Sequence, residues 1–296
     1  MDLCPPEILL NIFALACVDG GRTGCSLSLV SHQIYVASFP ARYHTVALWG
    51  FPRMCIFQKT LATMSSHPPA VHHLFIFDGH VPITGTDVLE VATSIISALS
   101  QSLVTLAGSL SPNLHGVEYN SVIAHLPLLQ DLGLCFMGLY SISSDLHLPK
   151  LRRLHKWDRL NKLKDLSDIN VIIRVAPQLT ELRLSNIAKG CLRELQAMLK
   201  GEPDALGGMD RLELPQTLKH LFVQGSRGWG WGHIETIGQE ALERLLDEVA
   251  GEHKKVIYVK ERGYNIEKCK KDWLEGIEGG DGCWRVYPRT NTSTVS

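Results

Sequence analysis

Apolar residues come early and dense along this chain. In CPPEILLNIFALA, Cys4 to Ala16, the residues Ile8, Leu9, Ile12, Phe13 and Ala16 follow the i, i+1, i+4, i+5, i+8 spacing of one broad helical face. Leu10 and Leu15 widen that stripe beyond what a single packing surface requires. Pro5 and Pro6 precede it. Proline costs little where the first helical amides lack partners, and Glu7 is well placed near the positive end of the helix dipole. Gly20-Gly21 ends the helix. A second segment, CSLSLVSHQIYVASF, carries Leu27, Val30, Ile34 and Ala37 at helical spacing. Pro40 breaks it, and HTVALW has the β-branched and aromatic character of a short strand. Two or three short helices cannot build a large core unaided. Burying about five of these side chains is worth roughly 10 kcal/mol, at about 2 kcal/mol each. Either the following domain or another protein should therefore cover them.

Beyond residue 70 an apolar step of three, usually followed by one of two, recurs in LFIF (Leu74), LHGVEY (Leu114), LQDLGL (Leu129), LRRLHK (Leu151), LTELRL (Leu179) and LKHLFV (Leu218). L-x-x-L-x-L is the strand-and-corner signature of leucine-rich repeats. From Leu114 onward the gaps are 15, 22, 28 and 39 residues, too ragged for a regular array. Helical stretches such as TDVLEVATSIISAL, DLSDINVIIRVA and CLRELQAML stand between these units, and strand–helix–strand order implies parallel pairing. The expected fold is α/β. Residues 1–50 form a small three-helix module, and residues 51–250 an irregular leucine-rich-repeat-like solenoid with parallel strands and outer helices. Residues 251–287 (KKVIYVKE, then a helix bearing Trp273) form a strand–helix pair capping its open end, and residues 288–296 a disordered tail.

Composition narrows the function classes. The net charge of −1 argues against a chain steered as a whole toward nucleic acid or membrane, and 45% hydrophobic content suffices for a sizeable core. The eight cysteines, at 4, 17, 25, 55, 135, 191, 269 and 283, include no C-x-x-C pair. They read as free thiols in a reducing compartment, with no metal site. No apolar run is long enough to span a bilayer, and Asp2 and Glu7 stand where a secretory signal needs positive charge. The expected location is cytoplasmic or nuclear.

CPPEILLNIF followed by LSLVSHQI resembles an F-box, the helical module that docks on the adaptor subunit of SCF-type cullin–RING ubiquitin ligases. Pro5, Glu7, Ile8, Leu9, Ile12, Phe13 and Val30 match that pattern. Cys4 stands at the leading Leu position, Ser31 replaces Cys, and Ile34 stands where Trp is common. DGGRTGCSLSLVSHQI and PARYHTVAL are similar to F-box-like proteins of mushroom-forming (basidiomycete) fungi. The resemblance implies adaptor docking through Pro5, Pro6, Ile8, Leu9, Ile12, Phe13, Leu27, Val30 and Ile34. It also implies a bound target protein, ubiquitin chemistry confined to partner subunits, and neither catalysis nor a cofactor in this chain.

Candidate chemistry elsewhere is thin. DGGRTG lacks the order of a phosphate-binding loop and reads as a flexible interhelical turn. G-x-S-x-G is absent, and His72 and His73 should point to opposite faces of a strand. Trp229 and Trp231, in SRGWGWGHIE, could stack on a partner. Lys150, Arg152, Arg153, Lys156, Arg159, Lys162 and Lys164 are offset only by Asp158. Of these, Arg152, Arg153, Lys156 and Arg159 are candidates for gripping an acidic or phosphorylated peptide. Two other classes remain open. One is a leucine-rich scaffold whose first helices merely cap it; the other is an α/β enzyme with a polar cleft at its strand ends.

Overall fold

The structure, a computed structural model, describes residues 4–64, 69–79, 87–110, 125–135, 147–157, 173–187, 191, 195, 199, 214–225, 244, 247–248, 251, 253–261 and 263–285. It opens with four short helices rather than three: α1 (Pro6–Ala16), α2 (Arg22–Leu27), α3 (His32–Ala37) and α4 (Phe39–Arg42). Ser31, at the position where the resemblance leads one to expect Cys, is the N-cap of α3. Its Oγ accepts the Ile34 amide at 3.2 Å, which satisfies one of the orphan donors of the first turn.

The elements that follow are β1 (Thr45–Trp49), α5 (Phe51–Thr63), β2 (His73–Phe77), α6 (Asp87–Leu99), β3 (Thr105–Ser109), β4 (Asp131–Cys135), β5 (Arg153–Trp157), β6 (Glu181–Ile187), β7 (His220–Gly225) and β8 (Val256–Val259). Helix α7 (Ile266–Ile277) and a 3₁₀ turn (Gly282–Trp284) follow. The eight strands of the described residues lie in one sheet, each parallel to its neighbour in the sequence. Among the described residues the order contains no reversal, and so no switch-point crevice of the kind doubly wound sheets use for ligands.

One face of the sheet explains the recurring leucines. Val46, Leu74, Leu106, Leu132, Leu154, Leu182, Leu221 and Val256 are consecutive register partners across all eight strands. Three residues earlier, Val71, Leu103, Leu129, Leu151, Leu179 and Leu218 are buried beside them where the chain turns into each strand. Met54, Phe57 and Leu61 of α5, with Val88, Ala92, Ile95 and Leu99 of α6, cover this outer face. Each buried leucine contributes on the order of 2–5 kcal/mol against Ala. The unit expected at Leu114 lies outside the described residues. The rung before Leu129 is instead Leu103 and Leu106, whose third position is Gly108.

The terminal pair divides. β8 does close the sheet's last edge, but α7 does not cap the open end. It folds back over the opposite, inner face, where Trp273, Cys269 and Ile266 pack on Phe75, Phe77, Ala107, Cys135 and Trp157. The reason is the character of that face. Aromatic inner residues on the early strands need an apolar cover, and α7 presents Ile266, Cys269 and Trp273 on one stripe. The expected tail, 288–296, lies outside the described residues.

Candidate docking surface and the inner face

Helix α1 carries two apolar stripes with opposite fates. Leu9, Phe13 and Cys17, at i, i+4 and i+8, face Ile34 and Ala41 and form the small core of the N-terminal module. Ile8, Ile12 and Leu15, at i, i+4 and i+7, look outward and are 49%, 51% and 79% exposed. Leu29 and Val30, in the connection between α2 and α3, and Tyr35 and Val36, on α3, are exposed as well. The predicted docking set therefore splits. Pro5, Ile8, Ile12 and Val30 are exposed. Leu9, Phe13 and Ile34 are interior, because a module this small needs them for its own core, and Leu27 packs partly against the same cluster. The Pro6 side chain lies outside the described residues.

The module is fixed to the sheet. DGGRTG is no loose turn: the Asp19 carboxylate accepts the Thr23 amide at 3.0 Å and its hydroxyl at 2.7 Å. Gly20 O accepts the Ala47 amide at 3.3 Å, so the turn lies along the otherwise open edge of β1. Gly20 and Gly21 have φ of 77° and 97°, and a side chain at Gly20 would press on Ala47. At the joint, the ring of His44 lies 4.6 Å from that of His72 and 5.2 Å from that of His73. His73 Nδ1 is 3.0 Å from Thr105 Oγ1. Burial, then the neighbouring His44 and His72, lowers the His73 pKa to about 4; burial, then His72, lowers that of His44.

The basic run does not form one surface. Arg152 is exposed at the turn before β5. Arg153 reaches the inner side, where it grips Asp131 bidentately, with Nε 2.6 Å from Oδ1 and Nη2 on Oδ2, and lies 5.9 Å from the Trp284 ring. Lys156 has the opposite parity and is buried, in register with Leu184. Strand alternation thus sends neighbouring cations to opposite faces. Arg159, Lys162, Lys164, Trp229 and Trp231 lie outside the described residues.

His155, Ser185, Asn186 and Gln224, none of them a candidate from the sequence, carry the inner face of the later strands. His155 Nε2 lies 3.0 Å from Ser185 Oγ, and Ser185 Oγ donates to Gln224 Oε1 at 2.8 Å. Asn186, left-handed at φ 62°, clasps the Tyr264 main chain twice: Oδ1 accepts its amide and Nδ2 donates to its carbonyl, both at 2.8 Å. Trp273 Nε1 donates to Thr105 Oγ1 at 3.1 Å. Cys283 Sγ lies 3.6 Å from His155 Nδ1, the outline of a thiol–imidazole pair. Its electrostatics oppose nucleophilic chemistry. Burial pushes the Cys283 thiol up to about 12 and holds His155 well below the usual histidine range, so both groups are neutral near pH 7. Among the described residues no group of three His, Cys, Asp or Glu side chains is arranged to hold a metal, and no helix is long and apolar enough to cross a membrane. A period-2 reading of each strand could have separated inner from outer residues. No signal in the sequence pairs Asn186 with Tyr264.

No protein-family model matches the chain, and no curated protein matches it.

Proposed function

We propose that this chain is the substrate-recognition subunit of an SCF-type cullin–RING ubiquitin ligase, binding without catalysis. The N-terminal helices dock an adaptor, and through it a cullin, while the sheet domain, an irregular leucine-rich-repeat-like solenoid, holds a target protein. Ubiquitin transfer is then favoured by effective concentration and carried out by partner subunits. The observation that carries this reading is the second stripe of α1. Ile8, Ile12 and Leu15 stay outside a module whose core is complete without them. Neither nucleic acid nor membrane is part of the proposal, and its setting is the cytoplasm or nucleus.

The test is affinity purification of the full chain and of an Ile8→Glu/Ile12→Glu variant. The wild type should bring down an SCF adaptor and cullin, and the variant neither, with its thermal midpoint unchanged. A wild type that captures no adaptor, or a variant that keeps it, overturns the reading.

A scaffold without ligase role is the second reading. The Gly20–Ala47 hydrogen bond favours it, since the module does close the edge of β1 as a simple cap would. It leaves the outward stripe unexplained.

A further inference from the structure

The inner face holds a buried cation that makes no hydrogen bond or ion pair with a carboxylate among the described residues. Arg183, on β6, is 3% exposed. Its Nε donates to Ser185 Oγ at 3.1 Å, Nη2 to Gln224 Oε1 at 2.9 Å, and Nη1 to the Cys283 carbonyl. All three acceptors are neutral. A guanidinium has five N–H groups and stays charged, so one N–H on each terminal nitrogen is unassigned among the described residues. A buried charge without a counterion is costly, and the cost falls when an anion reaches it.

Arg183 borders a pocket of about 370 Å³ between α7, the end of β8 and the 3₁₀ turn. Most other charges on its walls cancel. Lys268 pairs with Glu261, and Arg285 with Glu275. Asp272 Oδ2 accepts the Tyr264 hydroxyl at 2.9 Å, and burial raises its pKa. Lys271 and Glu267 are exposed at the rim, with no ion pair among the described residues.

We propose that this pocket binds a carboxylate, its two oxygens facing the spare N–H groups of Arg183 and its charge supported by Lys271. The flat guanidinium fork matches a carboxylate. Glu267, which has no ion pair among the described residues, opposes a second negative charge, which disfavours a phosphate dianion. The site shares no residue with the outward stripe of α1, so its failure would leave the docking reading intact, and the reverse.

Thermal unfolding and calorimetric titration of the full chain test the proposal, with acetate as probe and chloride at matched ionic strength as control. Acetate should raise the midpoint saturably, as any ligand selective for the folded state does. Phosphate should bind at least threefold more weakly. Lys271→Glu, at an exposed position, should lower acetate affinity about fivefold with an unchanged circular dichroism spectrum. Arg183→Lys, if folded by the same criterion, should lose the preference for acetate over phosphate. An acetate effect no larger than that of chloride, or a Lys271→Glu affinity within twofold of wild type, overturns the site. The amidated peptide Gly-Gly-Glu-Gly-Gly separates the possible sources. Binding tighter than acetate assigns the carboxylate to a polypeptide, and equal binding assigns it to a free small acid.

Discussion

The two faces of the sheet are built on opposite principles. The outer face is a repeated solution, in which the same apolar position on each of eight strands meets its register partners and a local helix or turn. The inner face is assembled once. Early strands offer Phe75, Phe77 and Trp157, later strands offer Arg183, Ser185 and Gln224, and one distant segment covers both. Local contacts can be read from a period, whereas contacts made once across the chain cannot. Burial is nearly complete on both sides, so depth alone does not tell them apart. Energetically, the outer face rests on dispersion and desolvation, while the inner face adds hydrogen bonds that must all be made at once.

The largest expected effect comes where the two principles meet. Gly108 occupies the third position of an outer rung with φ 146°, and a Cβ there would stand 1.8 Å from the Ile76 carbonyl oxygen. Gly108→Val should therefore cost more than about 4 kcal/mol and abolish cooperative unfolding. A stable Gly108→Val protein would mean that β2 and β3 are not this close. Leu132→Ala, in the outer ladder, should cost about 2–5 kcal/mol in denaturant unfolding, set by the cavity it leaves.

On the inner face the expected losses are smaller and chemically specific. Asn186→Ala gives up two hydrogen bonds to Tyr264 and leaves a Cβ residue in the left-handed region. The sum is about 3 kcal/mol, at roughly 1 kcal/mol for each bond and 1 kcal/mol for the backbone. Asn186→Gly loses the same bonds without the backbone cost, and should unfold about 1 kcal/mol later than Asn186→Ala. Equal stabilities would show that the clasp, not the conformation, is what asparagine supplies.

These differences explain what was legible in the sequence. The leucines at 129, 151, 179 and 218 announced their strands because a fully buried rung accepts little else. The rung at Leu103 lacks the full pattern because Gly108 replaces its third apolar residue. The basic run forms no single surface because strand parity sends Arg153 inward to Asp131 and Lys156 to the outer side. Arg183, Asn186 and Gln224 were invisible as a group. Their partners, Cys283, Tyr264 and Glu261, stand 100, 78 and 37 residues away and belong to a segment expected at the open end. The division of α1 into an inward and an outward stripe was half legible. Helical spacing identified apolar positions on α1, but which stripe the module would keep for its own core depended on Ile34 and Ala41.

Acid separates the joint from the outer ladder. The folded pKa of His73 is about 4, below the ordinary value of about 6.5. Between these values the unfolded chain binds more protons, so stability is present above about pH 6.5 and is lost as pH falls toward 4. His44 and His155 are depressed in the same direction and add to the slope. The thermal midpoint should fall from pH 7 to pH 4.5, and His73→Asn should flatten that fall by up to one proton's worth. A pH profile unaltered by His73→Asn would show that the ring is not held neutral by its surroundings.

The smallest expected effect is the most informative about α1. Ile8→Ser and Ile12→Ser alter the outward stripe, where surface substitutions cost within about 0.5 kcal/mol. Leu9→Ser and Phe13→Ser place a hydroxyl among Cys17, Ile34 and Ala41 and remove a buried side chain. Each should cost about 3 kcal/mol, enough to loosen a core of so few residues. The contrast is measured by hydrogen exchange in α1, with the sheet amides as an internal reference. If Ile12→Ser accelerates exchange as much as Leu9→Ser does, both stripes are covered by this chain and α1 has nothing left with which to dock a partner. If only the inner stripe responds, the outward apolar surface is maintained without contributing to the fold, which is the condition a docking surface must meet.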